Sequence, residues 1–355
     1  MAEPQPGQHR ASHVFNVAML VFGAAMLAWL LRGLDRGDLS AAIAGVGRRF
    51  AIILGLDLAA VLLDARALHA FMRPEARMIS YGRVVAAQLS GRAVNVVTPL
   101  SALGEATKLA MLVTHAPRVR VVSAIVLFNL AALYLSVIVM VIGVPITLLL
   151  VDLPRALQVT AGIGLAAAIA LVIAVGVLIE RGATATLTGL LHRVRVISRE
   201  RRDDWQARLQ ELDRHLAELH DQRGAGTWRG VLWLIASRLV TWTSTLTLIG
   251  AIGVEIAPRL VAGVLSVGVL IQWIAAAVPF GLGVADTGNY ALYDLLGASG
   301  AHGAVVTMLN RARSLSVAVV GFAVMTVVHT LNRLAVARMH ARLRDRRAQL
   351  QAPRG

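Results

Sequence analysis

The chain has 355 residues, of which 57% are hydrophobic and 15% are charged, and its formal net charge is +15. Several apolar runs reach the roughly 18 residues that a membrane-spanning helix requires, which excludes an ordinary soluble globular protein. Cysteine is absent, so disulfides and thiolate metal sites are excluded, and no sequence pattern predicts a metal or cofactor.

The hydropathy pattern predicts an all-α polytopic membrane protein with about six to eight transmembrane helices. Two apolar segments, 84–113 and 258–298, are interrupted by proline and glycine. Each is either a re-entrant helical hairpin or a pair of short spans. Six crossings with two hairpins is the preferred count, and eight spans is the alternative. The predicted full crossings are 14–31, 50–70, 121–151, 156–179, 229–253 and 314–335.

Arginine placement predicts the orientation in the membrane. Segment 181–229 has ten arginines and seven acids, and segment 333–355 has seven arginines and one acid. Such basic flanks are typically cytoplasmic, which favours a multi-pass inner (plasma) membrane protein over a nucleic-acid-binding one and places both termini in the cytoplasm. The resulting units are a tail at 1–13, a first membrane half at 14–180, a loop at 181–228, a second membrane half at 229–335 and a basic tail at 336–355.

In this orientation the two interrupted segments enter the membrane from opposite sides. Segment 84–113 enters from the cytoplasm and segment 258–298 from the other face. The hairpin tips are then expected to meet near the midplane, an inverted-repeat-like arrangement that many transporters share.

The cytoplasmic loop carries a helical apolar seam and, before it, a similar stripe with basic flanks between Leu187 and Ile197. Such a helix commonly lies on an anionic lipid surface. Two alternatives are packing on the cytoplasmic face of the membrane domain and a coiled-coil contact in a homodimer. The seam residues recur at spacings of 4, 3, 4 and 3, and they are Trp205, Leu209, Leu212, Leu216 and Leu219.

Both interrupted segments contain a proline, then glycine, then an acid. Proline removes a backbone donor and disfavours helix at the preceding residue. The backbone groups freed at such a break cannot face lipid, so they face protein or a watery cavity. A pair of such breaks in corresponding halves indicates a central transport site. The breaks contain Pro99, Gly104 and Glu105 in the first segment, and Pro279, Gly283 and Asp286 in the second.

Charged side chains at membrane depth are candidates for function. Glu105 and Lys108 are three residues apart and can form an ion pair on one helix face. Asp57 and Asp64 lie two turns apart on one face of the second span, where structural pairing is favoured. Arg92 lies in the first hairpin.

Arg238 lies nine residues into its apolar segment, where an unpaired charge is costly. We therefore expect it to meet Asp57, Asp286 or Glu105. Arg311 and Arg313 are expected at the membrane interface.

The two breaks resemble the signatures of the lysylphosphatidylglycerol synthase transmembrane, or flippase-like, family, and the resemblance covers about 14–335. It implies opposed re-entrant hairpins around a lipid-sized cavity and movement of lipid between leaflets; members associated with hopanoid lipids are similar in architecture. The family more often has Glu where this chain has Asp286. The residues that carry the resemblance are Gly91, Arg92, Asn95, Pro99, Gly104, Glu105 and Lys108, then Pro279, 281–286, Leu296, Gly297 and Arg311.

The leading hypothesis is a flippase-like protein that translocates an anionic or aminoacylated lipid. The longest polar segment, of about 48 residues, is too short for a soluble aminoacyl-transferase domain, so we do not expect an enzyme. The alternatives are a membrane-embedded lipid or polyprenyl transferase with Glu105 or Asp286 as general base, and a structural subunit that binds lipid-biosynthesis enzymes. The predicted headgroup site consists of Arg92, Asn95, Pro99, Gly104, Glu105, Lys108, Arg238, Pro279, Gly283, Asp286 and Arg311.

Overall fold

A computed structural model describes residues 44–73, 75–98, 102–151, 155–180, 225–276 and 283–351. These ranges are helical, with short connections and no strand, so the predicted all-α class is confirmed. The predicted first span, 14–31, and most of the loop 181–228 lie outside them. The helices are α1 Arg48–Phe71, α2 Tyr81–Val97, α3 Ala102–Leu112, α4 Arg118–Leu150, α5 Arg155–Glu180, α6 Ala225–Ala251, α7 Pro258–Ala275, α8 Val284–Leu295 and α9 Gly300–Gln351, with a 3-10 helix at Glu75–Met78.

Four helices in the described ranges are long and apolar enough to cross a membrane. They are α4, α6, α7 and the Gly300–Leu331 part of α9. Helix α1 has 24 residues but carries Asp57, Asp64 and Arg66, which lower its hydropathy. The helices found at the predicted spans 50–70, 121–151, 156–179 and 229–253 differ from those bounds by only a few residues.

The predicted span 314–335 is wrong at its start, because α9 already begins at Gly300. The first turns of α9 carry polar side chains that face other helices rather than lipid. Thr307, for example, is buried and accepts a 2.8 Å hydrogen bond from Asn289 of α8. These inward polar residues interrupt the apolar run from which the span was predicted.

Helices α1 and α6 form a closely packed antiparallel pair. The Ser237 hydroxyl donates to the carbonyl oxygen of Ala60 at 3.0 Å, and the Ser244 hydroxyl donates to Asp57 Oδ1 at 2.8 Å. Small residues let membrane helices approach closely, and serine hydroxyls then bond across the interface. The seven-residue spacing of the two serines places both on the face of α6 that meets α1.

Helices α2 and α3 pack antiparallel across the first break. A Cβ placed on Gly91 would lie 2.6 Å from Lys108 Cγ, while one on Gly104 would collide with the Asn95 side chain. The glycines therefore allow a closer approach than any other residue permits. Gly91 lies opposite Lys108 and Asn95 lies opposite Gly104, so the two helices run in opposite directions. Helix α3 therefore leads the chain back towards the start of α2.

Helices α7 and α8 repeat this arrangement across the second break. A Cβ on Gly263, near the start of α7, would lie 2.6 Å from Leu296, which follows the end of α8. A Cβ on Gly288, in α8, would lie 2.7 Å from Ile271 Cγ2, near the end of α7. The second pair thus also returns to the end of the molecule at which it began.

The two pairs begin at opposite ends of the α1–α6 unit. Helix α6 begins where α1 ends, because a Cβ on Gly226 would lie 3.4 Å from the Ala70 carbonyl oxygen. Helix α2 starts at this same end, since it follows the end of α1 by only about ten residues. Helix α6 ends where α1 begins, because Arg49 Nη1 donates to the Gly250 carbonyl oxygen at 3.3 Å. Helix α7 follows from that opposite end.

Candidate functional site

A cavity of about 460 Å³ lies between the helices. Ser136 and Thr241 on its wall lie near the midpoints of α4 and α6, so the cavity is at mid-span depth. Both helix pairs contribute to it from near their breaks, through Arg92 of α2 and Trp273 of α7. The charged residues that line it within the described ranges are Asp57, Arg92, Arg238 and Arg313.

Arg313 is fully paired within the cavity wall. Its Nε donates to Asp57 Oδ2 at 2.8 Å and its Nη2 donates to Asp57 Oδ1 at 2.6 Å, a bidentate geometry typical of strong arginine–carboxylate pairs. Nη2 also donates to the Ser244 hydroxyl at 2.9 Å, and Nη1 donates to Asn310 Oδ1 at 3.0 Å. The prediction that Arg313 lies at the membrane interface is wrong, since the residue is buried on the wall of the mid-span cavity, bonded to Asp57 and Ser244.

Arg238 and Arg92 face the cavity, and Asp64 is the carboxylate nearest to them among the described residues. In the part of the chain that the structure describes, Arg238 makes no hydrogen bond or ion pair, and its Nε is buried without a partner. Asp64 and Arg92 are the charges that act on it. Arg92 Nη1 lies 3.8 Å from Asp64 Oδ2, too far for a hydrogen bond, and its side chain is 45% exposed.

The expected partners of Arg238 are therefore wrong. Each carboxylate that was expected to meet it is bound by another cation. Asp57 is paired with Arg313, Asp286 with Arg311, and Glu105 with Lys108. The Asp57–Arg313 and Asp286–Arg311 pairs join different helices, so a sequence alone cannot reveal them.

Most predicted residues of the first hairpin join α2 to α3. Asn95 Oδ1 accepts a 2.7 Å hydrogen bond from the Gly104 backbone N–H. Lys108 Nζ donates to Glu105 Oε1 at 2.8 Å, so the predicted i,i+3 pair is confirmed. The Lys108 side chain is 7% exposed and packs over Gly91. These groups hold the hairpin together, and none lines the cavity as the described residues define it.

The predicted residues of the second hairpin form the start of α8. Gly283 has a φ of +78°, in the left-handed region that favours glycine, and its N–H donates to Asp286 Oδ2 at 2.9 Å. Arg311 Nη2 donates to the same oxygen at 2.6 Å and so ties α9 to α8. An acid in the first turn also complements the helix dipole. Pro99 and Pro279 lie outside the described residues.

The protein family described as "Lysylphosphatidylglycerol synthase TM region" matches residues 16–331 of the chain. The chain belongs to this family. The match covers both helix pairs and every wall of the cavity, and it confirms the resemblance inferred from the two breaks. No curated protein and no solved structure matches the chain significantly. Family membership and the spanning helices together make this a membrane protein related to lipids.

The polar wall of this family member includes residues that the sequence analysis missed. Trp242 lies in the middle of α6, whereas membrane tryptophans concentrate at the two interfaces, so its depth was a usable signal. Polar side chains on otherwise apolar helices were a second signal in the sequence. The missed lining residues are Trp242, Gln272, Trp273, Asn289, Tyr293, Asn310, Arg313 and Ser314.

Proposed function

We propose that this protein translocates a lipid with an anionic headgroup between the two leaflets of the inner membrane. The observation that carries the proposal is the pair Arg92 and Arg238, which face a mid-span cavity and have only one nearby carboxylate, Asp64, between them among the described residues. A charge at this depth costs about 2.5–3.5 kcal/mol or more, so such residues typically bind a substrate or line its path. An anionic headgroup would supply the second negative charge that these two arginines lack.

The chemistry of the cavity suits a phosphate. A guanidinium donates two parallel hydrogen bonds to phosphate oxygens, and two arginines on different helices can hold one phosphate from two sides. The volume of about 460 Å³ falls within the range of small-ligand sites. It accommodates a headgroup, while the acyl chains remain in the surrounding lipid.

The two helix pairs are suited to act as gates. Helices α3 and α8 have 11 and 12 residues, or about 16–18 Å at 1.5 Å per residue, which is too short for a bilayer core of about 30 Å. Helix α7 alone is long enough to cross, but the return helices α3 and α8 are not. We therefore infer that both pairs are re-entrant and enter from opposite faces, with their breaks at the cavity. Rocking of one half against the other would then expose the headgroup site to each leaflet in turn.

This mechanism requires no bond to be made or broken, so we assign the chain a transport role and no enzymatic step. The arginine-rich ends predict that both termini are cytoplasmic. The basic segment 181–228 is proposed to rest on anionic lipid, where each basic residue contributes about 1 kcal/mol.

Reconstitution into vesicles tests the proposal. Vesicles with and without the protein carry a trace of fluorescent phosphatidylglycerol, and dithionite added outside bleaches only the outer leaflet. We expect bleaching to proceed beyond about half of the signal only in vesicles that contain the protein. Bleaching that stops at the level of empty vesicles, for every anionic headgroup tried, would contradict the proposal.

A further inference from the structure

The cavity wall offers hydrogen-bond donors but no free carboxylate. Asp57 is the one carboxylate that lines it among the described residues, and both of its oxygens are already bound by Arg313. Ser244 donates to Asp57 as well. The carbonyl oxygen of the Asn310 side chain accepts from Arg313, which leaves the Asn310 amide N–H groups for a ligand. The one carboxylate of the described wall is thus used internally, whereas neutral acceptors such as the Gln272 amide oxygen remain.

Further donors and aromatic faces line the same space. Trp242 and Trp273 have indole N–H groups that can only donate, and neither is hydrogen-bonded within the described ranges. The Tyr293 hydroxyl is buried without a partner. The Gln272 amide also has no partner among the described residues, and it is exposed near the end of α7. The cavity wall therefore combines the flat indole rings of Trp242 and Trp273 with polar groups that make no hydrogen bond within the described ranges.

We propose that the cavity selects a phosphate linked to a polyol or sugar, and that it discriminates against a headgroup that carries an ammonium. This inference rests on the proposed function and names its substrate class. The phosphate would bind Arg92 and Arg238, the hydroxyl oxygens would accept from the indole and amide donors, and C–H faces would pack on Trp242 and Trp273.

An ammonium has three donors and no acceptor, so on the described wall it finds only neutral acceptors and no free carboxylate. The charges of Arg92 and Arg238 also repel it. The aminoacylated headgroup, which the sequence analysis left open beside a purely anionic one, is therefore disfavoured. Of the two headgroup classes expected from the sequence, the donor-rich wall selects the anionic one that bears hydroxyls.

Calorimetric titration of the purified full-length protein with soluble headgroups tests the selectivity. The probes are inositol 1-phosphate and phosphoethanolamine, which share a phosphate but differ in hydroxyls and ammonium. We expect inositol 1-phosphate to bind about tenfold or more tightly, the effect of about two additional neutral hydrogen bonds. Equal affinity, or tighter binding of phosphoethanolamine, would overturn the inference.

Two cavity substitutions and a control outside the cavity keep the test interpretable. Gln272→Glu adds a free carboxylate to an exposed position of the wall, and it should shift the affinity ratio at least tenfold towards phosphoethanolamine. Trp242→Phe should weaken inositol 1-phosphate several-fold, while Trp228→Phe on the same helix, 68% exposed and outside the cavity, should not. An unchanged ratio in Gln272→Glu would also overturn the inference.

Vesicle assays separate a lipid headgroup from a free sugar phosphate. Transport of phosphatidylinositol faster than phosphatidylethanolamine supports both the inference and the proposed function. Equal transport of the two lipids overturns the inference and leaves the proposed function standing. Selective binding of free inositol 1-phosphate without transport of any lipid supports the selectivity and overturns the proposed function.

Discussion

Replacing Asp57 with asparagine should destabilise the protein more than any other single carboxylate change in the described membrane helices. Asp57 and Arg313 are 7% and 8% exposed, and two hydrogen bonds of 2.6 and 2.8 Å join them. The Asp57 carboxylate thereby neutralises the buried charge of Arg313. Removing one partner of a buried pair costs about 3–5 kcal/mol, because the other charge stays buried without its counter-ion. At about 2 °C per kcal/mol, the melting temperature falls by about 6–10 °C.

Thermal unfolding in lipid nanodiscs, followed by light scattering and tryptophan fluorescence, measures this effect. Asp64→Asn is the comparison variant, since Asp64 lies two turns along the same helix and its nearest cation, the half-exposed Arg92, is 3.8 Å away and not hydrogen-bonded to it. Its loss should therefore destabilise the protein less. The double variant Asp57→Asn with Arg313→Gln should recover most of the loss. Equal destabilisation by Asp57→Asn and Asp64→Asn, or no recovery in the double variant, would refute the reasoning.

Two further predictions concern the first helix pair and the loop after it. Gly104→Ala should lower the free energy of unfolding by about 1–3 kcal/mol, because the new methyl group collides with Asn95. The control Gly55→Ala, with nothing within 4 Å of the new methyl group, should be neutral or slightly stabilising in thermal unfolding. Equal effects of the two variants would contradict the close α2–α3 contact. The pKa of His115, in the loop between α3 and α4, should lie below its ordinary value because burial and then the Arg83 charge disfavour the imidazolium. An NMR titration should show the midpoint rising in Arg83→Gln, and an unchanged midpoint would exclude that charge as a cause.

The sequence predicted features that depend on local pattern. Long runs of apolar residues predicted spans at 50–70 and 121–151, and these bounds lie within a few residues of the helices Arg48–Phe71 and Arg118–Leu150. The Glu105–Lys108 pair followed from helical spacing alone. The start of α9 at Gly300 was missed because polar residues such as Asn310 face other helices there rather than lipid.

Long-range partners could not be predicted, because they depend on which helix faces come together. Asp57 and Arg313 are 256 residues apart in sequence, yet they form the strongest ion pair of the cavity wall. That pairing leaves Arg238 without the carboxylate that was expected for it. The same packing placed Lys108 against Gly91, inside a helix contact rather than on the cavity.

The most direct test of the account is the rate at which vesicles containing Arg238→Gln translocate fluorescent phosphatidylglycerol. Arg229→Gln is the matched control, because Arg229 lies on the same helix but is exposed and outside the cavity. A lost charge-assisted hydrogen bond of about 1.5–3 kcal/mol predicts a fall of at least tenfold in Arg238→Gln at limiting lipid, with Arg229→Gln close to wild type. Equal rates in all three proteins would contradict the claim that this cavity binds the headgroup.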